Sequence, residues 1–227
     1  VTAIAENIAA LSQEIRALER DAQRPEGSVI LLAVSKRHSS ARIREAAAAG
    51  QLHFGENYLQ EAESKITELA DLDLVWHFIG PIQSNKTRGI AAHFDWVHSV
   101  DRLKIAQRLS EQRPAAAAPL NICVQVNVSD EHSKSGVTDA EVAKLCEQID
   151  GLPNIRLRGL MAIPAALDDY DLQRASFRQL ATLYASLQTR HPDMDTLSMG
   201  MSNDFAAAIA EGSTMVRIGT AIFGARD

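Results

Sequence analysis

A chain of 227 residues with 46% hydrophobic and 23% charged side chains has a globular composition and the length to bury a large core, which excludes disordered, collagen-like and disulfide-scaffold classes. Its 23 Lys and Arg are outnumbered by 29 Asp and Glu, and the net charge of -6 argues against a broad polyanion-binding surface, so no nucleic-acid partner is expected. The longest uncharged stretch, from Pro114 to Ser129, is broken by Pro119, Asn121, Gln125 and Asn127 and falls short of the roughly 18 apolar residues of a bilayer span, so no membrane association is expected. The two cysteines, Cys123 and Cys146, have no close pairing and no histidine at metal-ligand spacing, which fits a reducing cytoplasm.

In chain order, Ile4, Ile8, Leu11, Ile15 and Leu18 recur at helical spacing with charges between them, which predicts an amphipathic helix to about Arg20 rather than a signal peptide. Short apolar runs then alternate with amphipathic segments. Strands are predicted at Val29 to Ser35, His53 to Gly55, Leu74 to Ile79, Trp96 to His98, Asn121 to Val128, Arg156 to Ile163, Thr196 to Met199 and Met215 to Ile218. Helices are predicted between them at Ser40 to Ala49, Leu59 to Ala70, Asn85 to Ala92, Arg102 to Gln112, Asp139 to Ile149, Asp171 to Thr189 and Asn203 to Ala210. Runs such as "VILLAV" and "VWHFI" are apolar at successive positions, as in parallel strands covered on both faces. The expectation is one domain over residues 1–227, an α/β chain forming a single (β/α)8 TIM barrel with an extra N-terminal helix that could cover the barrel floor or a partner. The rival, an open doubly wound sheet binding a dinucleotide, would carry a glycine-rich turn after the first strand, where this chain reads "SKRHSS".

In such a barrel chemistry sits at the C-terminal strand ends. Lys36 ends "VILLAVSK", on the side of Ile30, Leu32 and Val34 by period-two counting. It is either a solvated strand-end lysine or an inward amine able to condense with an aldehyde. In the last two units, Ser202 immediately before a helix, and Gly219 and Thr220 before a short turn "AIFGAR", offer helix N-termini that bind a small phosphorylated ligand or simply cap the helices. No GxxxxGK[ST] loop is present. Arg217 shares a face with Met215 and needs a partner: an ion pair, a carboxylate or a heterocycle nitrogen. Asn57, two residues past the second strand, is a ligand-orienting amide or a turn residue, and Gln83, Asn85 and Lys86 follow the third. His77 reads as a hydrogen-bonded core histidine, and the seven histidines show no metal-binding pattern.

Beyond these residues, the blocks "AVSK" ending at Lys36, "FGENYLQEA" from Phe54, "WHFIGPIQSNK" from Trp76, "VNVSDEHSKSGV" over 126–137, "RGLMAIP" from Arg158, "SMGMSNDF" from Ser198 and "VRIGTAIFGAR" from Val216 occur in order. With them the chain closely resembles the pyridoxal phosphate homeostasis proteins, whose barrel is similar to the N-terminal domain of alanine racemase. Asn203 departs from the pattern, where acidic residues are also common. The resemblance implies that Lys36 forms a Schiff base with pyridoxal 5'-phosphate, that Arg217 faces the pyridine nitrogen, that Ser202, Gly219 and Thr220 hold the phosphate, and that Asn57 lies near the ring.

An arginine at the ring nitrogen disfavours its protonation and weakens the cofactor as an electron sink, although alanine racemases work with such an arginine. Racemases also use a second base, a tyrosine from the partner's C-terminal domain. This chain ends at Asp227, and of Tyr58, Tyr170 and Tyr184 only Tyr58 falls near a strand end. The expectation is therefore a cytoplasmic, monomeric carrier with no catalytic residue, active in pyridoxal phosphate homeostasis, with pyridoxal-phosphate-dependent apo-enzymes as candidate recipients. The alternatives are a small racemase or other amino-acid enzyme of this fold, and a cofactor-free Schiff-base aldolase.

Overall fold

The computed structural model describes residues 2–128 and 136–224, so the middle of the "VNVSDEHSKSGV" block and the end of "VRIGTAIFGAR" lie outside the described residues. Eight strands, β1 Ile30–Val34, β2 His53–Glu56, β3 Val75–Phe78, β4 Trp96–Val100, β5 Leu120–Val126, β6 Ile155–Ala162, β7 Thr196–Ser198 and β8 Met215–Ile218, pair in parallel in sequence order, and β8 closes on β1. Both strand faces are covered, which accounts for the unbroken apolar runs. Leu31, Ala33, Phe54, Phe78, Val97 and Val216 face outward into the main core beneath the helices, while Trp96, Cys123 and Met161 form a separate cluster inside the barrel. The closing register sets Ile30 beside Met215 and Leu32 beside Arg217, so the period-two count that paired Lys36 with Leu32 leads up the inner wall.

The helices are α1 Ala3–Asp21, α2 Ser40–Ala48, α3 Leu59–Glu68, α4 Thr87–His93, α5 Leu103–Gln112, α6 Asp139–Asp150, α7 Tyr170–Gln188, α8 Phe205–Ala210 and α9 Thr220–Phe223. Starts with local caps fall where the sequence places them: Thr138 and Glu141 form a capping box on α6, and Asp169 accepts from Leu172 N on α7. Two starts differ. The predicted helix from Asn85 splits into a 3-10 turn, Ser84–Lys86, and α4, with the Thr87 hydroxyl 2.9 Å from Ser84 O at the junction. The helix expected from Asn203 begins instead at Phe205, because Asp204 Oδ1 takes the Met201 N–H at 2.6 Å and Asp204 N donates to Met201 O, closing a turn ahead of it. Ser202 therefore lies within that turn and is not the residue flanking the helix.

The N-terminal helix packs against α2, α8 and α9. It thus fills the outer-ring place between the last and first units, where α9 is only four residues long, and lies beside the barrel rather than under its floor. Ile4, Ile8, Leu11 and Ile15 are its buried face. Its end is tied to the start of β1 by buried Glu19, which accepts from Gly27 N (3.0 Å), Val29 N (2.7 Å) and Arg16 (2.6 Å). Asn7 donates to Ile222 O at 2.9 Å, joining the first helix to the last. No helix among the described residues is long and apolar enough to cross a membrane.

Candidate functional site

A cavity of about 190 Å³ opens at the C-terminal strand ends, and Lys36, Asn57, Ser202, Arg217, Gly219 and Thr220 all line it. Val34, Ile79 and Ile163 supply apolar wall, and His38 and Met201 complete the lining. Val34 was legible as an inward strand position. His38 was not: it follows the strand in a turn, is buried, and stacks on Phe223 of α9 with ring centroids 4.8 Å apart. Gln83, Asn85 and Lys86 do not line the cavity.

The position of Lys36 is fixed from behind. Ser35 Oγ donates to Glu56 Oε1 at 2.6 Å, and Lys65 Nζ on α3 donates to Ser35 O (2.8 Å), Glu56 Oε1 (2.7 Å) and Glu61 Oε1 (2.6 Å). This buried knot ties the ends of β1 and β2 to α3. Burial pushes the Glu56 carboxyl above the usual carboxylate range, and the ammonium of Lys65 partly offsets that. Arg37, next in sequence, turns the chain away with a left-handed φ of 63° and donates its N–H to Glu61 Oε1.

On the neighbouring strand end, Asn57 has a buried Oδ1 with no hydrogen-bond partner among the described residues. An amide can present either its oxygen or its nitrogen, so this group is an available donor or acceptor at the cavity wall. Its backbone is clamped by Gly80, where any Cβ would sit 2.2 Å from Asn57 O, so only glycine permits the approach of the two loops.

Arg217 is the deepest polar residue of the lining. It is 4% exposed and donates to Ser198 O and Oγ, both at 2.8 Å, and to Ala162 O at 2.9 Å. Burial lowers its pKa to about 10, which leaves it cationic at neutral pH. Its contacts are neutral oxygens, and Asp204 acts on it only through space. The ion-pair reading of Arg217 therefore finds no contacting carboxylate among the described residues, and a cation is left facing the cavity. Just past the end of β8, Gly219 comes within 3.2 Å of Val34 O, measured from an added Cβ, and the first turn of α9 and the turn around Ser202 border the same space.

His77, inside the barrel beneath, is fully buried and bonded to other histidines, in keeping with a core histidine. Among the described residues no group of three His, Cys, Asp or Glu is arranged to hold a metal ion.

The model of the alanine racemase N-terminal domain family matches residues 7–227. The pyridoxal phosphate homeostasis protein of Pseudomonas aeruginosa is 60% identical over 227 residues, covering 100% of this chain and 97% of that protein. Its counterpart in Escherichia coli K12 is 54% identical over 99% of this chain and 97% of that protein. The structure of PipY of Synechococcus elongatus PCC7942 with pyridoxal phosphate bound is 44% identical, with a TM-score of 0.84, over 97% of this chain and 100% of that one. Alanine racemase of Corynebacterium glutamicum, 21% identical with a TM-score of 0.68, shares the fold over 60% of its length. By its matched domain and its full-length relatives, the chain belongs to the pyridoxal phosphate homeostasis protein family, built on the alanine racemase N-terminal domain.

Proposed function

We propose that this protein binds pyridoxal 5'-phosphate reversibly in the mouth cavity, with Lys36 as covalent anchor, and serves intracellular pyridoxal phosphate homeostasis. The observation that carries the reading is the convergence on one small cavity of a primary amine, a buried guanidinium with no contacting carboxylate among the described residues, the Asn57 Oδ1 that finds no hydrogen-bond partner among them, and the first turn of α9. The cofactor brings an aldehyde that joins a primary amine with loss of one water, an aromatic ring nitrogen that accepts hydrogen bonds, and a phosphate. The donor set fits each of these. Lys36 offers the amine, and the knot of Ser35, Glu56 and Lys65 holds the strand end that carries it. Arg217 offers a permanent donor, suited to an unprotonated ring nitrogen. Ser202, Gly219 and Thr220 offer hydroxyl and backbone donors to the phosphate, with little steric bulk where Gly219 meets β1. Val34, Ile79 and Ile163 would offer the ring apolar surface.

The non-catalytic part of the reading is supported by the names of the full-length relatives and by the lining itself, whose titratable groups among the described residues are Lys36, His38 and Arg217. A cytoplasmic monomer supplying apo-enzymes completes the proposal. The test is the visible spectrum of the purified protein before and after borohydride, with peptide mapping. A band near the visible edge whose reduced adduct maps to Lys36, and is lost in Lys36→Ala, is the expected result; a protein left unlabelled after incubation with pyridoxal phosphate overturns it. Solvent deuterium appearing at Cα of any common amino acid would instead establish the racemase-type alternative.

A further inference from the structure

Beneath the cavity, three histidines on successive strands form an unbroken chain across the barrel interior. His53 Nδ1 lies 3.0 Å from His77 Nε2, His77 Nδ1 lies 2.9 Å from His98 Nε2, and His98 Nδ1 lies 2.9 Å from Ser198 Oγ. The same Ser198 Oγ accepts from Arg217. His77 and His98 are fully buried, whereas His53, at the start of β2, is only partly so and brings the chain to the barrel's N-terminal end.

Arg217 can only donate, and this sets the direction of everything below it. With one lone pair of Ser198 Oγ taken by the guanidinium, the hydroxyl hydrogen needs an acceptor, and His98 Nδ1 is the neighbour that can provide one. His98 is then protonated on Nε2 and donates to His77 Nδ1; His77 in turn donates through Nε2 to His53 Nδ1. The reverse order would leave the Ser198 hydroxyl hydrogen without an acceptor in a buried site, a costly arrangement. A second proton on either buried imidazole would put two hydrogens into one contact.

We propose that Ser198, His98 and His77 are positioning residues for Arg217, forming with His53 a one-way hydrogen-bond chain that fixes the guanidinium at the cavity and presents its remaining N–H groups to the bound ring. The second half of this statement rests on the cofactor reading above; the direction of the chain does not. The chain gives Ser198 a rotamer and a hydroxyl orientation that the pocket could not otherwise enforce, and each neutral imidazole polarises the next.

The deciding experiment is nitrogen-resolved NMR of the imidazoles in the unloaded full-length protein. His77 and His98 are expected neutral and protonated on Nε2; an Nδ1–H tautomer on either overturns the direction and the role. A second readout uses Ser198→Ala and His98→Phe, with Cys146→Ala as control, since Cys146 is equally buried but lies on α6, outside the chain and away from Arg217. The first two are expected to shift the Arg217 Nε–H resonance of the unloaded protein and the absorption band of bound pyridoxal phosphate, and to weaken retention roughly tenfold, the scale of one charge-assisted hydrogen bond. The control is expected to lower thermal stability without moving either signal. Folded chain variants with parental resonance and band overturn the proposal. A parent protein that takes up no pyridoxal phosphate removes the cofactor reading, while the tautomers still decide the chain.

Discussion

Arg217 holds a full charge 4% exposed among neutral oxygens, an arrangement that favours whatever anionic or acceptor group enters the cavity. Arg217→Met removes a desolvated cation but strips Ser198 and Ala162 of a donor, so the two effects should largely offset and leave the fold intact while retention of pyridoxal phosphate is abolished; titration calorimetry beside a urea melt separates the two. Lys65 presents the opposite case. It is the buried cation that offsets Glu56 and Glu61, so Lys65→Met should cost about 3–5 kcal/mol by leaving Glu56 uncompensated, measured as a drop in urea midpoint. Lys36 and Arg217 were legible as candidates because strand alternation puts them on the side of the inward residues, but alternation left a solvated Lys36 and an ion-paired Arg217 open. Lys65 and Glu56 were not legible, because a lysine on an amphipathic helix and a glutamate at a strand end each read as solvated until the fold sets α3 against the ends of β1 and β2.

At the scale of elements, hydrophobic period and strand length located all eight strands to within a few residues, since each is bounded by turn residues and buried on both faces. The start of α6 at Asp139 falls where the hydrophobic pattern put it, and the structure adds the capping box of Thr138 and Glu141 there. The start of α8 does not, because Asp204 reaches back to Met201 and consumes residues that the pattern assigned to the helix. The N-terminal helix was visible as an amphipathic segment, but its place in the ring depends on the shortness of α9, which no local pattern reports. Its four inward residues make it part of the core, and Ile8→Ala should cost about 2–5 kcal/mol in a reversible melt. A loss below 0.5 kcal/mol would mean that α1 is an appendage.

For the molecule as a whole, the buried histidines set an acid limit. Burial, and then the charge of Arg217, lower His98 from 6.5 to about 3, and burial with its neighbours lowers His77 well below its usual value. Below about pH 6.5 the unfolded chain takes up protons that the folded barrel refuses, so stability falls with pH by up to ~1.4 kcal/mol per unit for each such histidine. Between pH 6.5 and 5 that is roughly 2 kcal/mol each, which the carboxyls of Glu56 and Asp204, raised by burial above their usual range and so favouring the folded state on protonation, partly oppose. Urea midpoints at the two pH values check it, and His98→Phe should flatten the slope. The closing seam carries a further consequence. Lys36 stands beyond the first strand and Arg217 within the eighth, and the two come together only when Leu32 pairs with Arg217 across that seam. A nascent chain therefore offers the aldehyde an amine but no pocket to retain it until β8 has left the ribosome, and capacity to hold the ligand should appear in one step with the last strand rather than accumulate during synthesis.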